Sequence, residues 1–227
     1  MIRTDLHVHS CLSPCADDEM DPGDVVRMAK VIGVDLIALT DHHSSKNCLT
    51  AQLAAKECGI GFIPGAEIMT SEEVHCICLF PSVESALAFN EFLSPLRPRI
   101  KNRLNIFGGQ TIVHPDGTTE EEPYLLFHAT NISIMDLPDV VEAHGGLFWP
   151  AHVDRGANSL LTVLGAWPKG LRADAVEVTY SGSGGIPAAL KRISVSDAHR
   201  FRAMRDEGFP LPLESADFEG LFAYLKE

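Results

Sequence analysis

In Val34-Asp35-Leu36-Ile37-Ala38-Leu39-Thr40-Asp41-His42-His43, an almost unbroken apolar run ends in a polar cluster. A near-continuous apolar strand is buried on both faces, which is the situation of strands in a parallel sheet. This one delivers Asp41, His42 and His43 at its C-terminal end. Upstream, Asp21-Pro22 marks a helix start, with Asp as N-cap and Pro at the first helical position. Val25, Val26, Met28, Ala29 and Ile32 supply its apolar face, and Gly33 ends it. Before that helix, residues 2–9 read as a strand that runs into Asp5-Leu6-His7-Val8-His9-Ser10. Side chains two apart on a strand share a face, so His7 and His9 project together. Leu6 and Val8 then face packed helices.

Downstream, residues 47–58 read as a second helix, and residues 60–67 as a third strand running into Glu67. Residues 74–80 form a fourth strand, with His75 near its start, and Pro81-Ser82 opens a helix to about Leu93. Residues 147–152 make another strand, ending in His152. Residues 175–180 and 192–196 look like two more, the latter delivering Asp197-Ala198-His199. Between these lies an insertion over the core at about 95–130. In it, Arg97, Arg99, Lys101 and Arg103 read as a solvated basic face, Gly108-Gly109 as a hairpin turn, and residues 118–122 as a solvated loop. A helix near residues 133–144 follows, with Leu137, Val140 and Val141 inward. Alternating strands and helices predict parallel βα units. Polar residues at successive strand ends predict a barrel, where such ends converge on one mouth. Seven strands can be counted, so the expectation is a distorted seven-stranded (β/α)7 barrel in one α/β domain over 1–227.

At 227 residues and 45% hydrophobic content, the chain can build a sizeable core. No apolar run reaches the ~18 residues of a membrane span, and no basic-then-apolar leader precedes Asp5. Six cysteines in a chain of this size form no small disulfide scaffold, so a soluble, cytoplasmic protein with reduced thiols is expected. The formal charge of −13, from 31 acidic against 18 basic residues, argues against tight binding of long nucleic acid. It leaves room for a small phosphorylated substrate, because bound divalent cations reverse the local field. Nothing in the sequence specifies an oligomer.

Asp5-Leu6-His7-Val8-His9-Ser10, Thr40-Asp41-His42, Pro64-Gly65-Ala66-Glu67, Val74-His75, Pro150-Ala151-His152 and Ser196-Asp197-Ala198-His199 occur in that order. Together they resemble the polymerase and histidinol phosphatase (PHP) family over residues 2–200. The resemblance implies a distorted barrel holding two or three divalent ions, zinc, manganese or iron, and hydrolysing phosphoesters. It implies that His7, His9, Glu67 and Asp197 take one metal, and that Glu67 bridges to a second held by His75 and His152. A third would take His42, His199 and an acidic residue after the first strand: Asp17, with Asp18 and Glu19 as alternatives. Glu67 and Asp197 are the central catalytic candidates. A hydroxide between two such ions is a nucleophile that needs no side-chain base.

Arg155 follows His152 by three residues at the same mouth and is the candidate phosphate clamp; His43 and Arg200 are further substrate-binding candidates. Cys11 and Cys15 lie in the loop after the first strand, at a spacing that is not a standard zinc or cluster motif. His114, His128 and His144 match no motif. The expected substrate is a small phosphomonoester or a nucleotide. The alternatives are a nuclease trimming short oligonucleotides, a metal-dependent amidohydrolase, for which the Asp-x-His at 197–199 is a poorer match, and a non-catalytic metal-bound module.

Overall fold

The computed structural model describes residues 1–179 and 184–227. Tyr180, the end of the strand expected over 175–180, lies outside them. The chain opens with β1 (Ile2–Val8), α1 (Pro22–Val31), β2 (Leu36–Leu39), α2 (Cys48–Cys58), β3 (Gly61–Met69), β4 (His75–Leu79) and α3 (Val83–Leu93). An arm follows with a short α4 (Leu104–Phe107) and a hairpin of β5 (Thr111–Val113) and β6 (Thr119–Glu121). The chain then returns through α5 (Leu137–Ala143), β7 (Leu147–Pro150), α6 (Leu160–Leu164), β8 (Val176–Glu177), β9 (Arg192–Ile193), β10 (Phe209–Leu211) and α7 (Phe218–Lys226).

The sheet is a curled half-barrel of six strands in the order β10-β1-β2-β3-β4-β7. Among the described residues the expected seventh strand does not join it; β8 and β9 form a separate two-residue parallel pair. Within this sheet only the pairs β1–β2 and β2–β3 are parallel, each joined through a helix, while β10 pairs antiparallel with β1. The uniform parallel pattern fails at β4 because residues 70–74 are all that connects it to β3, and a parallel crossover needs about a dozen residues or more. β4 is therefore antiparallel, with Met69 paired to His75 and Glu67 to Ile77. β7 pairs antiparallel with β4 in turn. The start of β4 thus lies beside the C-terminal ends of the parallel strands, which brings His75 to the mouth.

The pairing of β1 with β2 shifts register between Asp5 and Val8. Val8 packs with Val25, Ala29, Ile37 and Ala51 beneath α1 and α2, as expected. Leu6 instead joins Leu36, Ala38, Ile63, Trp149 and the α7 residues Leu221 and Leu225. Such a shift re-aims side chains next to a site, and here it separates two residues that simple alternation places together. The hairpin in the arm also differs from expectation: it turns at His114–Thr118, with Gly117 at φ 82°, and Gly108-Gly109 only lead into β5. Among the described residues no helix is long and apolar enough to cross a membrane.

α1 starts as the sequence dictates, with the Asp21 carboxylate accepting from the Gly23 and Asp24 amides. At the other end of β1, Arg3 Nε and Nη2 donate to the two carboxylate oxygens of Asp35 at 2.8 and 2.7 Å, tying the strand to the turn before β2. Hydrogen bonds from Arg3 hold the Asp35 carboxyl down to about 2, against the upward pull of its partial burial. Its folded value lies below the unfolded value of about 3.9, so the pair stabilises fully above that pH and ceases to as pH falls through about 2. Both groups are partly exposed, which limits the contribution to roughly 0.5–1 kcal/mol. Asp35→Asn should therefore lower urea-unfolding stability by that amount at neutral pH and by almost nothing near pH 2. An equal loss at both pH values would contradict the assignment.

Candidate metal centre

Six chain segments build a cluster around one carboxylate, Glu67. β1 supplies His7 and His9, the turn after β2 His42, β3 Glu67, the first residue of β4 His75, and the turn after β7 His152; the segment after β9 supplies Asp197 and His199. β1 fixes the last of these directly: the His9 amide donates to Ala198 O at 3.0 Å, and the buried Asp5 carboxylate accepts from the Ser196 amide at 3.0 Å. Glu67 is fixed from β2, its amide donating to Asp41 O at 3.1 Å while its carbonyl accepts from the His43 amide at 2.9 Å. His43, His152 and Asp197 have positive φ (52°, 28° and 52°), a conformation non-glycine residues hold only where the surroundings enforce it.

The two oxygens of Glu67 divide the imidazoles. Oε2 lies 3.5, 3.4 and 3.1 Å from His7 Nε2, His9 Nε2 and His42 Nδ1. Oε1 lies 2.8 and 3.4 Å from His75 Nδ1 and His152 Nε2. Asp197 Oδ1 adds contacts of 3.3 and 3.5 Å to His7 Nε2 and His9 Nε2. Three groupings have ligand atoms close enough to share an ion: His7, His9 and Asp197; His42, Glu67 and His75; and His9, His42 and His199. All the histidines and both carboxylates singled out by the six motifs therefore meet.

The outward faces of His7 and His9 are spoken for. His7 Nδ1 donates to Glu177, at 3.1 Å from Oε2 and 3.3 Å from Oε1, and Glu177 Oε1 also accepts from the His152 amide at 3.0 Å. His9 Nδ1 lies 2.9 Å from Ser13 Oγ, whose one proton goes to Asp41 Oδ1 at 2.7 Å. Ser13 must then accept from His9 Nδ1–H. In their neutral form both imidazoles therefore turn unprotonated Nε2 atoms inward, and these face each other at 3.0 Å. Two nitrogen lone pairs at that separation repel unless a cation lies beside them, so the donor set suits a divalent ion. Neutral imidazole and carboxylate ligands fit zinc, manganese or iron.

Burial works against charge throughout the cluster, and the partners decide the outcome. Burial would raise Glu67, but His75, His7 and His42 hold it well below the usual carboxylate range. Burial would lower His7, but Glu177, Asp197 and Glu67 raise it well above its ordinary value. For His42, burial prevails and the imidazole is pushed well below its ordinary value; burial and then the neighbouring His9 take His199 down to about 4. Ionised carboxylates beside His42 and His199, two imidazoles that resist protonation, make a field that suits a cation.

A cavity of about 250 Å³ opens above Glu67, Asp197, His42, His152 and His199, with Arg155 on its wall. Arg155 Nη2 donates to Asp197 Oδ2. Asp17 is not brought into the three groupings; it lines a separate cavity with Glu19 and Arg200, while its amide donates to His199 O at 2.9 Å. His43 lies behind the site, 1% exposed, with neither ring nitrogen partnered, and burial pushes it down to about 3. All six cysteines are free. Burial and nearby carboxylates push the Cys11 thiol up to about 12, which keeps it protonated, while Cys15 is exposed. Glu177, Ser13 and Asp41 are the functional residues the motif reading did not assign. The signal for Glu177 was an acid inside the apolar run Ala175-Val176-Glu177-Val178, where a buried carboxylate needs a partner.

A family model described as the PHP domain matches residues 5–127. A 5'-3' exoribonuclease of Haemophilus influenzae is 42% identical over 71 residues, 31% of this chain and 25% of that protein. Among solved structures, the lesion-specific endonuclease EndoQ from Pyrococcus furiosus superposes with a TM-score of 0.69 at 18% identity, covering 99% of this chain and 56% of that one. A predicted metal-dependent phosphoesterase from Bifidobacterium adolescentis superposes with a TM-score of 0.57 at 17% identity, covering 98% and 95%. The chain thus spans about a quarter of the exoribonuclease and just over half of the endonuclease. His152, Glu177, Asp197 and His199 lie beyond the family match and are joined to it by the fold alone.

Glu177→Gln keeps the shape of the side chain but removes the charge that fixes His7. Metal affinity measured by competition with a chelator should fall by about 10–100-fold, the usual effect of losing a ligand's outer partner. Unaltered affinity would show that Glu177 merely fills space.

Proposed function

The chain belongs to the PHP domain family, and on that premise we propose that the cavity is the active site of a metal-dependent phosphoester hydrolase. One observation carries this reading: a single buried carboxylate, Glu67, turns one oxygen to His7, His9 and His42 and the other to His75 and His152. That division is what a carboxylate bridging two ions needs. His7, His9 and Asp197 would complete one ion's shell, His75 and His152 a second, and His42 with His199 a third. Divalent ions bound by these residues would supply an acidified water and attraction for phosphoryl oxygens.

The chain's own residues supply the rest. Asp197 divides its oxygens between the His7–His9 pair and Arg155, so it links the metal ligands to the arginine. The guanidinium has donors to spare beyond Asp197 and a planar fork that matches a phosphate, which makes Arg155 the phosphate clamp of this reading. Glu177 and Ser13 hold the His7 and His9 rings in the tautomer that presents Nε2. The cavity's small volume supports a compact substrate, a small phosphomonoester or a nucleotide. A nuclease that trims short oligonucleotides uses the same centre, and the likeness to an exoribonuclease and an endonuclease supports it as the second reading. Turnover of a phosphomonoester against a phosphodiester, with manganese or zinc added, separates the two.

Two variants test the roles. Glu67→Ala should lose bound metal and turnover together, by more than the ~100-fold that follows loss of an outer partner; retention of both would remove Glu67 from the bridge. Arg155→Ala, assayed at saturating metal because the arginine is also an outer partner of Asp197, should raise KM about tenfold, the worth of one charge-assisted contact of about 1.5 kcal/mol. An unaltered KM would take Arg155 out of the substrate site.

A further inference from the structure

The arm over residues 94–131 is rooted at the mouth of the site. Arg97 Nη1 donates to His43 O at 3.0 Å, the Thr130 amide and hydroxyl both donate to Met69 O, and the Thr111 amide donates to Cys11 O at 2.9 Å. Those acceptors sit in the turn after β2, at the last residue of β3 and in the loop after β1. Within the arm, residues 100–102 pair antiparallel with residues 123–125: the Leu125 amide donates to Ile100 O at 2.8 Å and the Asn102 amide to Pro123 O at 3.0 Å. Lys101 is therefore directly across from Tyr124. Extended backbone places alternate side chains on one face, so Arg99 and Arg103 share the face of Lys101. The Arg99 guanidinium lies 5.8 Å from the Tyr124 ring centroid, which puts the ring on that face too.

These cations are not there to neutralise the protein. The chain carries a net charge of −13, yet no carboxylate of the described residues is within ion-pair distance of Arg99, Lys101 or Arg103. The arm's own acids are taken up elsewhere: Glu122 by Lys46 at 2.6 Å, and Glu121 by the Gln110 amide and Thr111 hydroxyl at 3.1 Å each. The same arm exposes Phe107 (41%) and Phe127 (52%). Unpaired cations at a regular step, with Tyr124 across from them and further exposed rings on the same arm, match a chain of phosphates with unstacked bases. An acidic peptide would use the cations but not the rings, and a duplex would hide its bases.

We propose that the Arg99–Lys101–Arg103 face, with Tyr124, binds a short single-stranded nucleic acid that leads into the cavity. Only the strand's destination rests on the phosphoesterase reading; its binding is measured without turnover. The probe is a fluorescein-labelled single strand of about ten nucleotides, within the range of about 4–16 per binding platform, with a phosphorothioate backbone. Its anisotropy is followed with the metal-loaded protein. The wild type should bind it more tightly than the matching duplex. Arg99→Gln/Lys101→Gln/Arg103→Gln should weaken binding at least tenfold at low salt, with metal content unchanged. The slope of log affinity against log salt should fall by about 2, three contacts at about 0.7 each. Tyr124→Ala should weaken binding without changing that slope. No binding by the wild type, unchanged binding by the triple variant, or equal displacement by poly-glutamate would overturn the proposal. Loss of the phosphoesterase reading alone would abolish turnover and leave the anisotropy intact.

Discussion

A carboxylate 1% exposed and surrounded by five imidazoles sets the terms for this molecule. A buried charge is costly unless it is compensated, so Glu67 requires its partners to arrive from separate parts of the chain. The sheet makes this possible by curling, so that strand ends far apart in sequence meet. Gly65 shows how little slack the arrangement has: a Cβ there would sit 2.5 Å from Leu79 Cδ2 and 2.7 Å from Cys78 O. Two residues before Glu67, only glycine lets β3 and β4 come close enough to keep His75 against Oε1. Pro64-Gly65-Ala66-Glu67 thus joins a packing requirement to a chemical one.

The ligands are themselves held by a polar layer behind them. Glu177 ties His7 to the backbone of His152, and the chain Asp41–Ser13–His9 does the same from the other side. Ser13 also accepts from the His42 amide at 3.1 Å, so one hydroxyl orients ligands from two strands. Backbone strain at His152 and Asp197 belongs to the same account, since stability is given up locally to aim particular atoms.

The ordered motifs made most of the centre legible before any coordinates, because each ligand stands at a strand terminus marked by an apolar run. His75 was identified by position but its orientation was not explained; the five-residue connection 70–74 carried that information in its length. The seven-strand barrel was the weaker inference, since β8 and β9 pair over only two residues and the short β10, whose central residue is Pro210, offers no periodic pattern. Leu6 escaped the simple alternation because a register shift leaves no mark in residue type. Glu177 and Ser13 act through contacts 170 and 4 residues along the chain, and only the folded geometry connects them to His7 and His9. Asp17, Asp18 and Glu19 follow one another in a loop, where residue type does not specify which carboxylate turns toward the site.

Metal content of the purified wild-type protein, read by elemental analysis after equilibrium with manganese or zinc and removal of free ion, tests the central claim most directly. Two or three ions per chain, released by a chelator and recovered on re-addition, is the predicted result. A chain that holds no ion under these conditions while remaining folded would contradict a metal centre at Glu67 and, with it, the function proposed for this fold.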